Sequence, residues 1–177
     1  MKTTMITAPS SNTRYLGLAS GKRAGNLDMY MMGEEGLEVG LSMNRGEYAL
    51  IEGAMGYFDG IYNTFENSSY HISKKLNINA LLIYTPKGEM FSAIPKIKGM
   101  VDFSDSRIKG IILNKVRKDI YLLLKEKIEE YIGIRVLGYV EEDKDLEIQS
   151  WYLGLVQSME NQYAENIIDK LSKIMEK

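Results

Sequence analysis

Glu52 and Asp59 lie seven residues apart in the segment Leu50–Gly60 (LIEGAMGYFDG), with Gly53, Gly56 and Gly60 among them. A carboxylate at the end of an apolar strand is costly to bury unless a metal, a cation or a hydrogen-bond donor compensates it. The glycines let the backbone pass close to a ligand. One or two carboxylates beside substrate phosphates suit Mg²⁺. The plainer alternative is a turn bearing two solvated acids. Tyr48–Gly53 reads as a strand, so the segment is expected to be the end of a buried strand opening into a glycine-rich, carboxylate-bearing active-site loop.

Asn114 and Lys115 follow the apolar run Gly110–Leu113. An asparagine at a strand tip can read a nucleobase edge, because its amide both donates and accepts. A plain turn or helix cap explains the same pair equally well. Ser20–Asp28 (SGKRAGNLD) mixes cations and glycines ahead of a helix. It suits an anionic group, although Asp28 equally suits the first turn, where the helix dipole favours an acid. His71 reads as a surface or satisfied histidine. Met29, Met31 and Met32 read as core or interface filler. Glu141, Glu142, Asp143 and Asp145 read as a solvated loop.

The 177 residues have room for one ordinary domain with a sizeable core, spanning 1–177. Net charge is −2, so no strong field draws nucleic acid or an anionic membrane. There is no cysteine, which excludes thiolate metal sites and a cysteine nucleophile and fits a cytoplasmic setting. The lone histidine excludes a histidine-cluster metal site. No apolar run approaches the roughly 20 residues that span a bilayer, and the N-terminus lacks the apolar core of a secretory signal.

Thr3–Ala8 reads as a short strand before the turn cluster Pro9–Asn12, and Tyr15–Asp28 as irregular. Leu27–Met43 has helical character weakened by its glycines. Ser68–Leu76 reads as a short helix capped by Ser68, and Asn79–Thr85 as a continuous apolar strand of the buried parallel kind. Ser92–Met100 is a helix with Pro95 in its first turn, and Ile108–Leu113 a buried strand. Val116–Ile132 is a helix with Ile120, Leu123, Leu124, Ile128, Tyr131 and Ile132 on one face. Ile134–Val140 is a strand, Trp151–Val156 is ambiguous, and Met159–Met175 is an amphipathic helix that Ser158 can cap. The alternation predicts an α/β fold, a mostly parallel sheet with helices on both faces. Ligands of such sheets bind beyond the carboxyl ends of the strands.

Together the segments ASGKRAGNLDMYMMGEEG (Ala19–Gly36), LIEGAMGYFDG, LLIYTPKGEMFSA (Leu81–Ala93), GIILNKV (Gly110–Val116), VLGYVEEDKDLEI (Val136–Ile148) and YLGLV (Tyr152–Val156) resemble the synthetase domain of the cobyrinate/cobyrate amidotransferase family, and within it the cobyrinate a,c-diamide synthases. They occur in the family's order and span nearly the whole chain. The resemblance implies a P-loop NTPase-like, dethiobiotin-synthetase-like domain that uses ATP and Mg²⁺ to amidate side-chain carboxylates of cobyrinate, a corrinoid intermediate of cobalamin biosynthesis. Ammonia comes from a separate glutaminase domain. Glu52 would help hold Mg²⁺ and phosphates, and Asp59 would orient the corrinoid. Asn114 and Lys115 would lie at the adenine, and Ser10 and Ser11 on the nucleotide side. Tyr15, Leu16, Asp28 and Gly56 would lie on the substrate side.

Two departures stand out. The family follows its first strand with a phosphate loop ending in Gly-Lys-Thr, then a helix and a second strand. Here TAPSSNTRYLGL jumps past all three, with an apparent seam near residues 12–14. The lysine that neutralises phosphate charge and the hydroxyl ligand of Mg²⁺ go with them. The family's glutaminase domain is also not in this sequence. ATP turnover is therefore expected to be very weak or absent. The first alternative is a non-catalytic module that keeps a corrinoid or nucleotide pocket. The second is a regulatory partner resembling septum-positioning ATPases, whose membrane helix or basic face is not visible here. Core surface bared by the missing elements is expected to promote homodimerisation or instability.

Overall fold

The computed structural model describes residues 3–7, 13–22, 24–43, 48–53, 55–146 and 160–175. The chain divides into two units, Met1–Ile78 and Asn79–Lys177.

The first unit carries three parallel strands in the order β2-β1-β3: β1 (Thr3–Thr7), β2 (Gly25–Asn26) and β3 (Tyr48–Glu52). Thr7 pairs in register with Glu52, so the C-terminal ends of β1 and β3 lie level. Helix α1 (Thr13–Ser20) follows β1 where an irregular stretch is expected from the sequence. It and the two-residue β2 occupy the stretch in which the family's first helix and second strand have no sequence counterpart. Helix α2 (Met29–Ser42) begins on Asp28 and is broken at Gly33, whose φ of 66° is the left-handed region that glycine enters without a Cβ clash. Helix α3 (Ser69–Lys75) begins on Ser68, as its sequence predicts. Leu27, Met29, Leu37 and Ile72 form the core, with Leu41, Ile51 and Leu76 against it. Met29 is core, as expected, while Met31 is 81% exposed.

Strand β3 corrects one expectation. Tyr48, Ala49 and Leu50 are exposed, and only Ile51 and Glu52 are half-buried. β3 pairs only with β1 among the described strands, so its apolar side chains lie at an edge rather than inside a sheet.

The second unit carries β4 (Ala80–Tyr84), β5 (Ile108–Asn114) and β6 (Val136–Val140), parallel and in that order. Helices α4 (Ala93–Asp102) and α5 (Lys118–Ile132) cover one face. Ala93, Ile94 and Ile97 of α4 and Leu124 and Ile128 of α5 pack on Ile111, Leu113 and Val136, joined by Leu82 and Tyr84. Pro95 sits in the first turn of α4, where its missing N–H costs nothing. Gly133 ends α5 with a left-handed φ of 75°. Leu123 and Tyr131 depart from the expected stripe: both are more than half exposed, and Tyr131 instead meets Phe91 edge-on at 5.4 Å. Side chains alternate across a strand, and the second face holds Leu81, Ile83 and Leu137, exposed by 53%, 66% and 53%. Helix α6 (Glu160–Met175) forms as its periodicity predicts, and Ile167 on it is buried. Its expected cap Ser158 and the segment Trp151–Val156 lie outside the described residues.

Candidate active site

The loop after β3 is built on α3. Glu52 ends the strand half-buried. A Cβ on Gly53 would come within 2.5 Å of the Ser69 hydroxyl, so only glycine lets the chain leave Glu52 against the start of α3. The Tyr57 carbonyl accepts the Tyr70 N–H at 2.8 Å, and the Tyr57 hydroxyl shares a hydrogen bond with Ser73 at 2.9 Å. Both ends of Tyr57 are thereby fastened to one helix. Tyr70 is 1% exposed and is ringed by Tyr57, Phe58 and Phe65 at centroid distances of 5.9, 5.1 and 5.5 Å. Such pairs add to area burial by roughly 0.5–1.5 kcal/mol each.

On that frame the Asp59 N–H donates to the Gly56 carbonyl at 2.9 Å and closes a turn. The Asp59 carboxylate lies directly against Gly56, where a Cβ would collide with it. Asp59 itself is exposed, so the turn presents a charged group to solvent from a rigid base. Beyond it, the Gly60 and Ile61 N–H groups donate to the carbonyls of Thr64 and Glu66 at 2.8 and 3.0 Å. Sequence reasoning singles out Glu52, Gly56 and Asp59, and the structure carries all three on this one loop. Tyr57, Ser69 and Tyr70, which brace it, escape that reasoning because their partners are distant in sequence.

Other candidates in the first unit sit in ordinary positions. Asp28 caps α2, its side chain accepting the Met31 N–H at 3.1 Å, so that is the role the structure gives it. Leu16 is half-buried in α1, and its carbonyl accepts the Ser20 hydroxyl at 2.7 Å. Tyr15 lies in the same helix. Ser10 and Ser11 lie outside the described residues. His71 is satisfied: its Nδ1 accepts the Asn67 N–H at 3.1 Å. Glu34 on α2 pairs with Lys75 on α3 at 2.5 Å, and that ammonium holds the Glu34 carboxyl below the usual carboxylate range.

In the second unit Asn114 ends β5, half-buried, in register with Val140 on β6. Its Nδ2 donates to the Thr85 hydroxyl at 3.3 Å, across to the exit of β4. Lys115 takes a left-handed φ of 58°, which turns the chain so that the Val116 N–H donates to the Val140 carbonyl at 3.1 Å. After β4 the Tyr84 hydroxyl donates to Glu89 at 2.8 Å, and Lys96 donates to the other Glu89 oxygen at 2.6 Å. Burial first and Glu89 second push the Tyr84 hydroxyl up to about 12. Lys96 holds the Glu89 carboxyl below its usual range, helped by the Tyr84 hydroxyl. The acidic loop after β6 is less idle than its composition suggests, since Asp143 and Asp145 bind Lys170 of α6 at 2.7 and 3.1 Å.

Comparison with known proteins gives these tips a context. No family model matches the chain. The cobyrinate a,c-diamide synthase of Clostridium acetobutylicum is 38% identical over 168 residues, 93% of this chain and 38% of that protein. That of Clostridium tetani is 38% identical over 87% of this chain and 35% of its own length. The enzyme of Saccharolobus solfataricus is 34% identical over 92% of this chain and 37% of its own. Among solved structures, the MinC:MinD cell division protein complex of Aquifex aeolicus aligns with 99% of this chain and 84% of its own, at a TM-score of 0.52 and 14% identity. MinD alone from that organism gives 0.51 and 13%. These likenesses show the fold, a MinD-like α/β arrangement of parallel strands with flanking helices. By sequence the chain is similar to cobyrinate a,c-diamide synthases over nearly all of its own length, and it spans a little over a third of theirs.

Proposed function

We propose that this chain is the synthetase portion of an ATP-dependent amidoligase acting on corrinoid side-chain carboxylates. The observation that carries the reading is the braced loop Gly53–Gly60, with a half-buried strand-tip carboxylate at one end and an exposed one on a fixed turn. In the reaction ATP phosphorylates a carboxylate of cobyrinate, and ammonia then displaces phosphate from the acyl phosphate to leave the amide. Ammonia would come from a glutaminase domain, for which the remaining length of the relatives has room.

The residues fit their parts. Among the described residues no three His, Cys, Asp or Glu side chains gather into a metal cage. Mg²⁺ bound with a nucleotide needs only one or two carboxylates besides phosphate oxygens and water. Glu52 would hold it. Asp59 would receive hydrogen-bond donors of the corrinoid periphery, since an ionised carboxylate only accepts. Gly56 keeps the Asp59 carboxylate close to the main chain, and Asn114 and Lys115 would meet the adenine. Tyr15 and Leu16 would lie on the substrate side, and Ser10 and Ser11 near the phosphates. The absence of cysteine supports a cytoplasmic setting.

Calorimetric titration with Mg·ATP and with cobyrinate tests this. Asp59→Asn is expected to weaken cobyrinate binding by about tenfold or more, the scale of a lost charged hydrogen bond, and to spare Mg·ATP. Glu52→Gln is expected to do the reverse. No response to either ligand overturns the proposal.

One sequence observation favours a second reading. Ala8–Asn12 contains no Gly-Lys-Thr, and the charge neutralisation that phosphoryl transfer requires is lost with it. The chain would then bind ligand without turnover. Magnesium-dependent ATP hydrolysis stimulated by cobyrinate and ammonium would exclude that reading.

A further inference from the structure

Tyr62 stands almost wholly in solvent, 90% exposed, on backbone that its side chain does not favour. Its φ of 53° and ψ of 34° are left-handed, and Asn63 after it has a φ of 58°. The Thr64 N–H donates to the Ile61 carbonyl at 3.0 Å across the two, closing a tight turn with both central residues left-handed. Such mirror-image turns favour Asn, Asp and Gly at their centre. Asn63 suits the turn, whereas a bulky ring in this region is an outlier. The turn is firmly held all the same. The Thr64 hydroxyl donates to the Ile61 carbonyl at 2.8 Å and accepts the Glu66 N–H at 3.1 Å. A Cβ on Gly60 would strike the main-chain carbonyls of Glu66 and Thr64, so the chain crosses itself there more tightly than any other residue allows. The fold thus fixes an aromatic ring in water without gaining its burial.

Backbone held in a sparsely populated region by its surroundings is typical of ligand clamps. Tyr62 follows Asp59 by three residues on the loop that α3 braces. Met55 and Phe65 of the same loop are exposed as well, so it turns apolar surface to solvent and not only a carboxylate. Tyr62 lies in none of the segments that carry the family resemblance, the nearest of which ends at Gly60. A corrinoid has a broad conjugated ring as its largest apolar surface, and an aromatic side chain covers such a surface by offset stacking. From this geometry we infer that Tyr62 is a stacking platform for the conjugated ring of the corrinoid, so that the substrate is recognised by its ring as well as by its side chains. The inference rests on the proposed reading that the corrinoid lies at Asp59.

The test titrates cobyrinate calorimetrically into the full chain and into Tyr62→Asn, Tyr62→Phe and Asp59→Asn, and follows the unfolding of each in urea. Tyr62→Asn removes the ring and sets in the turn a residue that enters the left-handed region readily. It is expected to weaken cobyrinate binding by about tenfold, the scale of burying and stacking one ring, and to hold or raise the urea midpoint. Tyr62→Phe keeps the ring and loses only the hydroxyl, so it is expected to bind cobyrinate within about threefold of the wild type. Weakened binding in Tyr62→Asn together with a lowered midpoint makes Tyr62 a structural residue and overturns the inference. A loss in Tyr62→Phe as large as that in Tyr62→Asn does so too, because the hydroxyl and not the ring is then the contact. Unchanged binding in Tyr62→Asn while Asp59→Asn weakens it overturns the inference and leaves the proposed function standing. Unchanged binding in both variants removes the corrinoid from this loop, and the inference with it. No binding of cobyrinate by the wild type overturns the corrinoid reading and this inference together.

Discussion

Asp59 and Glu52 bear the same charge on one loop, yet different forces set them in place. Glu52 is placed by a strand ladder, through its pairing with Thr7. Asp59 is placed by a turn whose rigidity comes from Tyr57 and Tyr70. Removing the Tyr57 hydroxyl tests how much of that rigidity is polar. Tyr57→Phe keeps the ring contacts and loses the bond to Ser73, so it is expected to lower stability by about 1 kcal/mol, measured by urea unfolding. Gly60→Ala is a harsher probe, because its Cβ would fall on the main-chain carbonyls of Glu66 and Thr64, which cannot rotate away as a side-chain end does. A loss of about 2 kcal/mol or more is expected, in the range of overpacking, together with weakened cobyrinate binding. A Gly60→Ala protein with unchanged unfolding and binding would show that the turn is not held as described.

At the scale of elements, the acidic loop after β6 and helix α6 make one unit through Lys170. The Lys170 ammonium holds the Asp143 carboxyl below its usual range, aided by the Asp145 N–H. A carboxyl lowered by folding contributes stability above its ordinary value of 3.8 and loses it as pH falls through the lower folded value. Amide exchange in α6 is therefore expected to quicken as pH drops below about 4, after correction for intrinsic exchange rates, and Asp143→Asn is expected to remove that dependence. Elements of this kind were legible from periodicity alone. The apolar run of Ile108–Leu113, the cap at Ser68 and the stripe of α6 all lie within a few residues of themselves. Three things were not legible, and the first two depend on partners far along the chain. Tyr48 and Leu50 look like interior residues but sit on an edge, because only β1 pairs with β3 among the described strands. Leu123 and Tyr131 obey the helical period while lying at the margin of the face that α5 buries. Asp28 looked equally like an anion contact and a first-turn acid, and the Met31 hydrogen bond makes it instead the N-cap. In the candidate site the carboxylates were legible and their supports were not, since the Tyr57–Ser73 and Asn114–Thr85 bonds join residues 16 and 29 positions apart.

For the whole molecule, the uncovered face of the second sheet is the feature with most consequence for behaviour in solution. Leu81, Ile83 and Leu137 are exposed together on strands whose other face is a packed core. Contiguous apolar surface of this sort drives association. Sedimentation equilibrium is expected to show a concentration-dependent homodimer, and Ile83→Lys is expected to shift it towards monomer without loss of helical circular dichroism. A wild-type monomer at all concentrations would refute that expectation. The polar chain at the exit of β4 has a different reach. Tyr84 holds its proton to about 12 against an ordinary value of 10, because it is partly buried and donates to Glu89. Folding raises this value, so the contribution of Tyr84 to stability is complete below pH 10 and declines from there towards about 12. In an alkaline absorbance titration of the 12 tyrosines, Tyr84 should ionise late, and Tyr84→Phe should remove one tyrosine's worth of the late absorbance change. The second unit thus has a built-in optical label, one that reports whether the strand exits are assembled without any added dye or ligand.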